Sequence, residues 1–176
     1  MGVATVELRG RHAILTAMGD KTRVSSTTRI AASPEAVYAL VSDLPRMGEW
    51  SPENTGGQWV GGATGPAKGA KFKGTNANGK KKWSTMVTVT DASTPRRFAF
   101  STVLGPKTFA EWSYEITPID GGTACEVTET WVDGRGPVAS TIGKVISGVG
   151  DRVAHTKSMI DTTLARLRAT AESQAK

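Results

Sequence analysis

The chain has 176 residues and a net charge of +6, with 38% apolar and 22% charged residues. That length suits one domain of which folding buries roughly 70% of the extended surface, and neither fraction fits a disordered chain or a fibre. The single cysteine, Cys125, excludes an intrachain disulfide, and no apolar run is long enough to span a bilayer, so a soluble cytoplasmic protein is expected.

Residues 1–20 carry Glu7, Arg9 and Arg11 within their apolar stretches, unlike a secretory leader. They read as an N-terminal extension, either mobile or an upstream start, ahead of one domain over residues 21–173. Residues 23–31 are polar, short and rich in β-branched side chains, which predicts a strand. Ser33-Pro34 then opens a helix: serine can cap free N–H groups, and proline at the first helical position loses no hydrogen bond. Val37, Leu40, Val41 and Leu44 give it one apolar face, and Pro45 is expected to end it. A second short helix or turn follows over residues 46–50 and stops at Ser51-Pro52.

Turn-rich connectors then separate six short β-rich runs: GGQWVGG, KFKGTNA, KKWSTMVTVTDA, RRFAFSTV, TFAEWSYEIT and TACEVTETWV. Short connectors make successive strands antiparallel neighbours. Ala110, Trp112, Tyr114 and Ile116 share one face, as do Phe98, Phe100 and Thr102, and Trp83, Thr85, Val87 and Val89. From Pro137 the period becomes helical, and Val138, Ile142, Val145, Ile146, Val149, Val153, Ile160, Leu164 and Leu167 track one stripe. A kink is expected near Gly148–Gly150, with Asp151 capping the second segment. The fold class is therefore α+β: a curved antiparallel sheet of seven strands around a long C-terminal helix, with two short helices between the first and second strands.

Six lysines and no acid lie between Lys68 and Lys82. The stretch reads as a hairpin turning at Asn78-Gly79, and lysines at such a tip solvate an exposed edge. No recognition helix or aromatic RNA platform accompanies them, so no specific nucleic acid partner is expected, and a weak contact with an anionic surface stays open.

Recognisable catalytic motifs are few. Gly74 to Lys80 fits G-x-x-x-x-G-K, but Lys81 stands where a phosphate loop needs Ser or Thr. His12 and His155 are far apart and Cys125 has no C-x-x-C partner, so neither a metal nor another cofactor is expected. Cys125 reads as a small buried hydrophobe. Strand parity turns Glu129 inward with Val127 and Trp131, where a carboxylate must be paired, hydrated or functional. Arg152 is its candidate partner, which would make the pair structural or a polar anchor for a ligand. His155, on the same helix, is a candidate acid or base, or a satisfied surface histidine. No catalytic residue is assigned beyond these three candidates.

The run SPEAVYALVSDLPRMGEWSPE resembles the start of the polyketide cyclase/dehydrase-like proteins of the START-like (SRPBCC, helix-grip) superfamily. GAKFKG, NGKKKWST, the TPRRFAF step, WSYEITPIDGGTACEVTETW and the closing MIDTTLARLRATAE extend the resemblance across residues 23–172. It is similar to bacterial, actinobacterial-type members. The resemblance implies an apolar cavity between sheet and long helix. Phe72, Trp83, Thr85, Phe100 and Thr102 are expected to line it from the earlier strands, and Trp112, Tyr114, Val127, Glu129 and Trp131 from the later ones. Trp50 would contribute from the short-helix cap, and Val149, Arg152 and Met159 from the long helix.

Three functions remain open at this stage. One is non-catalytic binding, transport or sequestration of a hydrophobic small molecule such as a lipid, isoprenoid or polyketide-like metabolite. Another is an aromatase/cyclase or dehydrase using Glu129, Arg152, His155, Thr85, Thr102 and Tyr114. The third is a protein-interaction module carried by the lysine cluster. Fold alone does not choose among them.

Overall fold

Strand β1 (Arg23–Ile30) leads into helix α1 (Pro34–Ser42) and a 3-10 helix (Leu44–Glu49). Strands β2 (Asn54–Val60), β3 (Lys71–Asn78), β4 (Lys81–Ser93) and β5 (Arg97–Leu104) follow, then β6 (Lys107–Ile119), a 3-10 turn (Asp120–Gly122) and β7 (Ala124–Asp133). Helices α2 (Pro137–Ser147) and α3 (Arg152–Gln174) complete the order. The computed structural model describes residues 21–104 and 107–175, and the expected extension over residues 1–20 lies outside them. Among the described residues the seven strands form one antiparallel sheet in the order β1-β7-β6-β5-β4-β3-β2. Sequential hairpins build β2 to β7, and β1 closes onto the far edge, with Val24 opposite Trp131 and Ile30 opposite Cys125.

Local chemistry sets the element ends. Ser33 Oγ accepts the Ala36 N–H at 3.3 Å, and Pro34 takes the first helical turn. Pro45 does not end α1, as the sequence reading expected. The helix stops at Ser42, and Pro45 instead opens the 3-10 helix, where its missing N–H is not needed. The β3–β4 turn is also one residue later than expected. Asn78 pairs with Lys81, so Gly79 and Lys80 form the turn, and Gly79 supplies the positive φ (+56°) at its first position.

The core lies between the inner sheet face and α1 and α3. Phe98, Tyr114, Ile116 and Val127 come from the sheet, Val37 and Val41 from α1, and Ile160, Leu164 and Leu167 from α3. Each such side chain contributes about 1.5–3 kcal/mol by leaving water. Helix α3 packs mainly over β1, with α1 and β7 beside it, while the 3-10 helix covers β2 and β3. This division leaves the β2–β6 half of the inner face less filled.

The predicted helical stripe divides. Gly148, at φ +72°, ends α2, and the Asp151 carboxylate accepts the Ala154 N–H at 3.0 Å to begin α3. Val149, Ile160, Leu164 and Leu167 are buried, as the stripe requires. Val138, Ile142, Val145 and Ile146 are exposed, and so is Val153. The first half of the stripe therefore points away from the sheet, contrary to expectation. Gly143 and Ser147 are buried on the inward face of α2, where a Cβ at Gly143 would come within 3.1 Å of the Arg135 guanidinium.

Candidate functional site

Alternation on three neighbouring strands builds the inner wall. Phe72, Gly74 and Asn76 face inward from β3, Thr85 and Val87 from β4, and Phe100 and Thr102 from β5. Trp112 and Tyr114 continue the surface on β6 and Glu129 on β7. Leu44 and Met47 of the 3-10 helix and Met159 of α3 cover it. They enclose a chamber of about 100 Å³. A second chamber of about 120 Å³ shares Glu53, Asn76, Thr85, Thr102 and Trp112 with the first. Beyond those shared groups it is walled by Trp83, Phe109, Trp131, Arg135, Arg152 and Thr156. A broader depression of about 750 Å³ follows the outer side of α3 past Lys157, Asp161 and Arg166. It is an open groove on the helix surface and carries none of the candidate residues.

Glycine geometry assists the packing of the aromatic wall. A Cβ at Gly57 would lie 2.6 Å from the Phe72 ring and 2.4 Å from the Lys73 carbonyl oxygen. The bare backbone there lets β2 close over Phe72, whose ring meets Trp59 edge-on at 5.2 Å.

Glu129 is the chemical centre of the inner chamber. It is only 2% exposed. The Tyr114 hydroxyl donates to Glu129 Oε1 at 3.0 Å, across directly paired positions of β6 and β7. Burial pushes the Glu129 carboxyl up to about 8; the tyrosine bond opposes this shift and the nearby Asp161 charge adds to it. Burial, with the Glu129 charge, also raises the Tyr114 hydroxyl well above 10. At neutral pH the carboxyl is therefore mostly protonated. Glu129 Oε2 is buried and has no hydrogen-bond partner among the described residues. With Oε1 accepting from tyrosine, a proton on Oε2 has no protein acceptor among the described residues.

A second polar group forms where the chambers meet. His155 Nε2 lies 2.7 Å from Glu53 Oε1, and an Arg152 guanidinium nitrogen lies 3.5 Å from Glu53 Oε2. Asp151 capping positions both α3 side chains in the first turn. Asn76 Nδ2 donates to Thr85 Oγ1 at 2.7 Å on the same wall. Arg135 closes the outer chamber: its guanidinium is held by Asp133 at 2.7 Å and lies over the Phe109 and Trp131 rings at 5.5 and 5.7 Å. Among the described residues no group of three or more His, Cys, Asp and Glu side chains could hold a metal.

The model of the family described as "Polyketide cyclase / dehydrase and lipid transport" matches residues 21–172. The chain belongs to this family. A solved structure of a polyketide-cyclase-like protein from Corynebacterium glutamicum is 30% identical, with 87% of this chain and 93% of that one covered and a TM-score of 0.56. A START superfamily protein from Mycobacterium smegmatis shares the fold at 18% identity, a TM-score of 0.59 and coverage of 87% and 96%. So does a protein from Thermus thermophilus, at 17% identity, a TM-score of 0.61 and coverage of 88% and 99%. No curated protein matches the chain.

In this polyketide cyclase/dehydrase family chain, most sequence-predicted positions do converge. Phe72, Thr85, Phe100, Thr102, Trp112, Tyr114, Glu129 and Met159 line the inner chamber. Trp83, Trp131 and Arg152 line the outer one. Trp50, Val127 and Val149 line neither; they are packed in the buried interior, with Trp50 completely enclosed. The expected Glu129–Arg152 pair is not formed: tyrosine satisfies one carboxyl oxygen, and Arg152 turns to Glu53. His155 lines neither chamber directly and reaches them through Glu53. Sequence reasoning missed Glu53, Asn76 and Arg135. Period-two counting from Phe72 reaches Asn76. Glu53, in a turn after Pro52, and Arg135, beyond the last strand, carry no periodic signal.

Proposed function

We propose that this protein binds a small, mostly apolar molecule carrying one neutral oxygen, with the Glu129 acid as its polar anchor. One observation carries this reading. A buried carboxyl, neutral at pH 7 and with one unpartnered oxygen, stands in the wall of a largely apolar chamber. An unmade hydrogen bond at such a site is costly, and a guest carbonyl or hydroxyl oxygen removes the cost. The family description, which includes lipid transport, supports a hydrophobic cargo.

Chambers of about 100 and 120 Å³ are smaller than the roughly 300–1,000 Å³ of drug-sized sites. An apolar cavity of about 150 Å³ takes one benzene ring. Either chamber alone is smaller than that, but the two share five lining residues, so the proposed guest spans both and is a compact molecule of one or two rings. The test uses 2-tetralone and its oxygen-free counterpart tetralin, followed by calorimetry or by quenching of Trp112. Wild type should favour the ketone by about tenfold, the worth of one buried hydrogen bond. Glu129→Leu should abolish that preference. Gly74→Leu should remove binding of both: a Cβ there meets nothing closer than 3.6 Å, so the side chain can enter the chamber without strain at its root. Failure of wild type to bind either compound would sink the reading.

A second reading rests on Glu53. It places a proton acceptor, oriented by His155 and Arg152, on the same cavity as the Glu129 donor. Glu53 would take a proton from the carbon beside a carbonyl while Glu129 donates to the enolate oxygen, the first step of a cyclase or dehydratase. Incubating 2-tetralone with protein in D2O tests it. Deuterium exchange above the buffer rate, lost in Glu53→Gln, is expected; exchange unaffected by that change counts against it.

A further inference from the structure

Helix α2 is amphipathic in the reverse sense. Its inward face is Gly143 and buried Ser147, whose carbonyl accepts Asn78 Nδ2 at 3.0 Å. A Cβ at Gly143 would come within 3.1 Å of the Arg135 guanidinium, so that face cannot take a larger residue without displacing the chamber wall. Its outward face is aliphatic: Val138 is 74% exposed, Ile142 48%, Val145 69% and Ile146 46%. None of these four branched side chains belongs to the buried core, and contiguous exposed apolar surface of this kind marks an interaction site.

Charge around the face has one sign. Lys144 is the only charged residue of α2. The β3–β4 hairpin tip lies against the end of the helix, with Lys81 Cγ 3.7 Å from a Cβ position at Gly148. That contact sets exposed Lys81, with exposed Lys80 next to it in the turn, at the C-terminal end of α2. No acid occurs between Asp133 and Asp151. Of those two, Asp133 is held by Arg135 and Asp151 caps α3.

We propose that this face of α2 docks onto an anionic lipid bilayer, with the aliphatic side chains entering the headgroup boundary and the hairpin lysines resting on acidic headgroups. The pattern is that of an interfacial helix, apolar on one side and flanked by cations. A second copy of the chain fits poorly, because a twofold contact through this face would bring two lysine tips together. Nothing in the proposal depends on what the cavity holds.

Flotation of the full chain with vesicles tests it. Phosphatidylcholine vesicles containing roughly a third phosphatidylglycerol should carry the protein at low salt, whereas phosphatidylcholine alone should not. Salt of about 0.5 M should weaken the binding. Ile142→Glu with Val145→Glu, and separately Lys81→Glu with Lys82→Glu, should each lower it at least roughly tenfold. All four positions are exposed, and unchanged 2-tetralone binding by these variants in solution separates this surface from the cavity. Absence of wild-type binding to the anionic vesicles, or full binding by the Ile142/Val145 variant, overturns the proposal. A wild-type dimer in sedimentation that the same variant dissociates would assign the face to a second copy and overturn it too.

Discussion

Glu129 shows how strand position and burial together set a side chain's charge. The alternation of β7 turns it inward, and the apolar wall then makes ionisation expensive. Its carboxyl is raised from 4.5 to about 8, so between those values the folded protein keeps a proton that the unfolded chain has lost. Stability should therefore be highest below the lower value, fall as pH rises, and level off above the upper one. The slope is up to about 1.4 kcal/mol per pH unit. Glu129→Gln keeps an oxygen for Tyr114 and removes the ionisation. Urea midpoints at about pH 5 and pH 7 should differ less for this variant than for wild type; identical differences would contradict the assignment. Cys125 gives a second expectation at this scale. It is fully buried, and burial pushes its thiol up to about 11, so native protein should resist alkylation at neutral pH while unfolded protein reacts. The inward turn of Glu129 was legible in the sequence; its partner was legible only through register. Tyr114 and Glu129 lie equally far from the turn over residues 120–123, and pairing outward from that turn brings them together. Long-range pairing of Glu53 with α3 leaves no comparable trace, because a turn residue has no period.

At the scale of elements, α2 and α3 share a hydrophobic period but not its meaning. Periodicity shows that a helix has an apolar side; it does not show which way that side points. In α3 the stripe faces β1 and α1, and Leu167 is buried without remainder. In α2 the small residues opposite the stripe decide the matter, since Gly143 and Ser147 allow the helix backbone to approach the sheet. The glycine break and the Asp151 cap were both legible from residue type, as were the Ser33 cap and the antiparallel succession of β2 to β7, but not the pairing of β1 with β7. The direction of α2 was not, because it depends on packing between segments. Leu167→Ala should cost about 2–5 kcal/mol in urea denaturation. Val145→Ala, in the other half of the same stripe, should stay within about 0.5 kcal/mol. Comparable losses at both positions would mean that α2 buries its aliphatic face after all.

The size of the cavity is a property of the whole molecule. Pairing β1 with β7 commits that side of the sheet to α3, whose side chains interlock with it. Over the rest of the face α1 packs on β5 and β6 and α2 on β4, and between them, beneath the 3-10 helix and the first turns of α3, the packing leaves room. The same arrangement limits that room. Tyr114 and Phe100 stand in the wall as large, well-buried side chains, and Trp131 with Arg135 closes the outer end. Enlarging the space enough for an acyl chain would require these groups to leave their partners, including the Tyr114–Glu129 and Arg135–Asp133 bonds. Selectivity by size should follow. A long saturated fatty acid such as palmitate should fail to displace 2-tetralone, whereas 1-indanone, another compact bicyclic ketone, should compete fully. Its carboxylate is a further obstacle to palmitate, since a neutral Glu129 beside an apolar wall offers little compensation for a buried charge. Competition read by Trp112 quenching checks both expectations at once. Displacement by palmitate at concentrations comparable to 1-indanone would show that the strands and the 3-10 helix part far more readily than their packing implies.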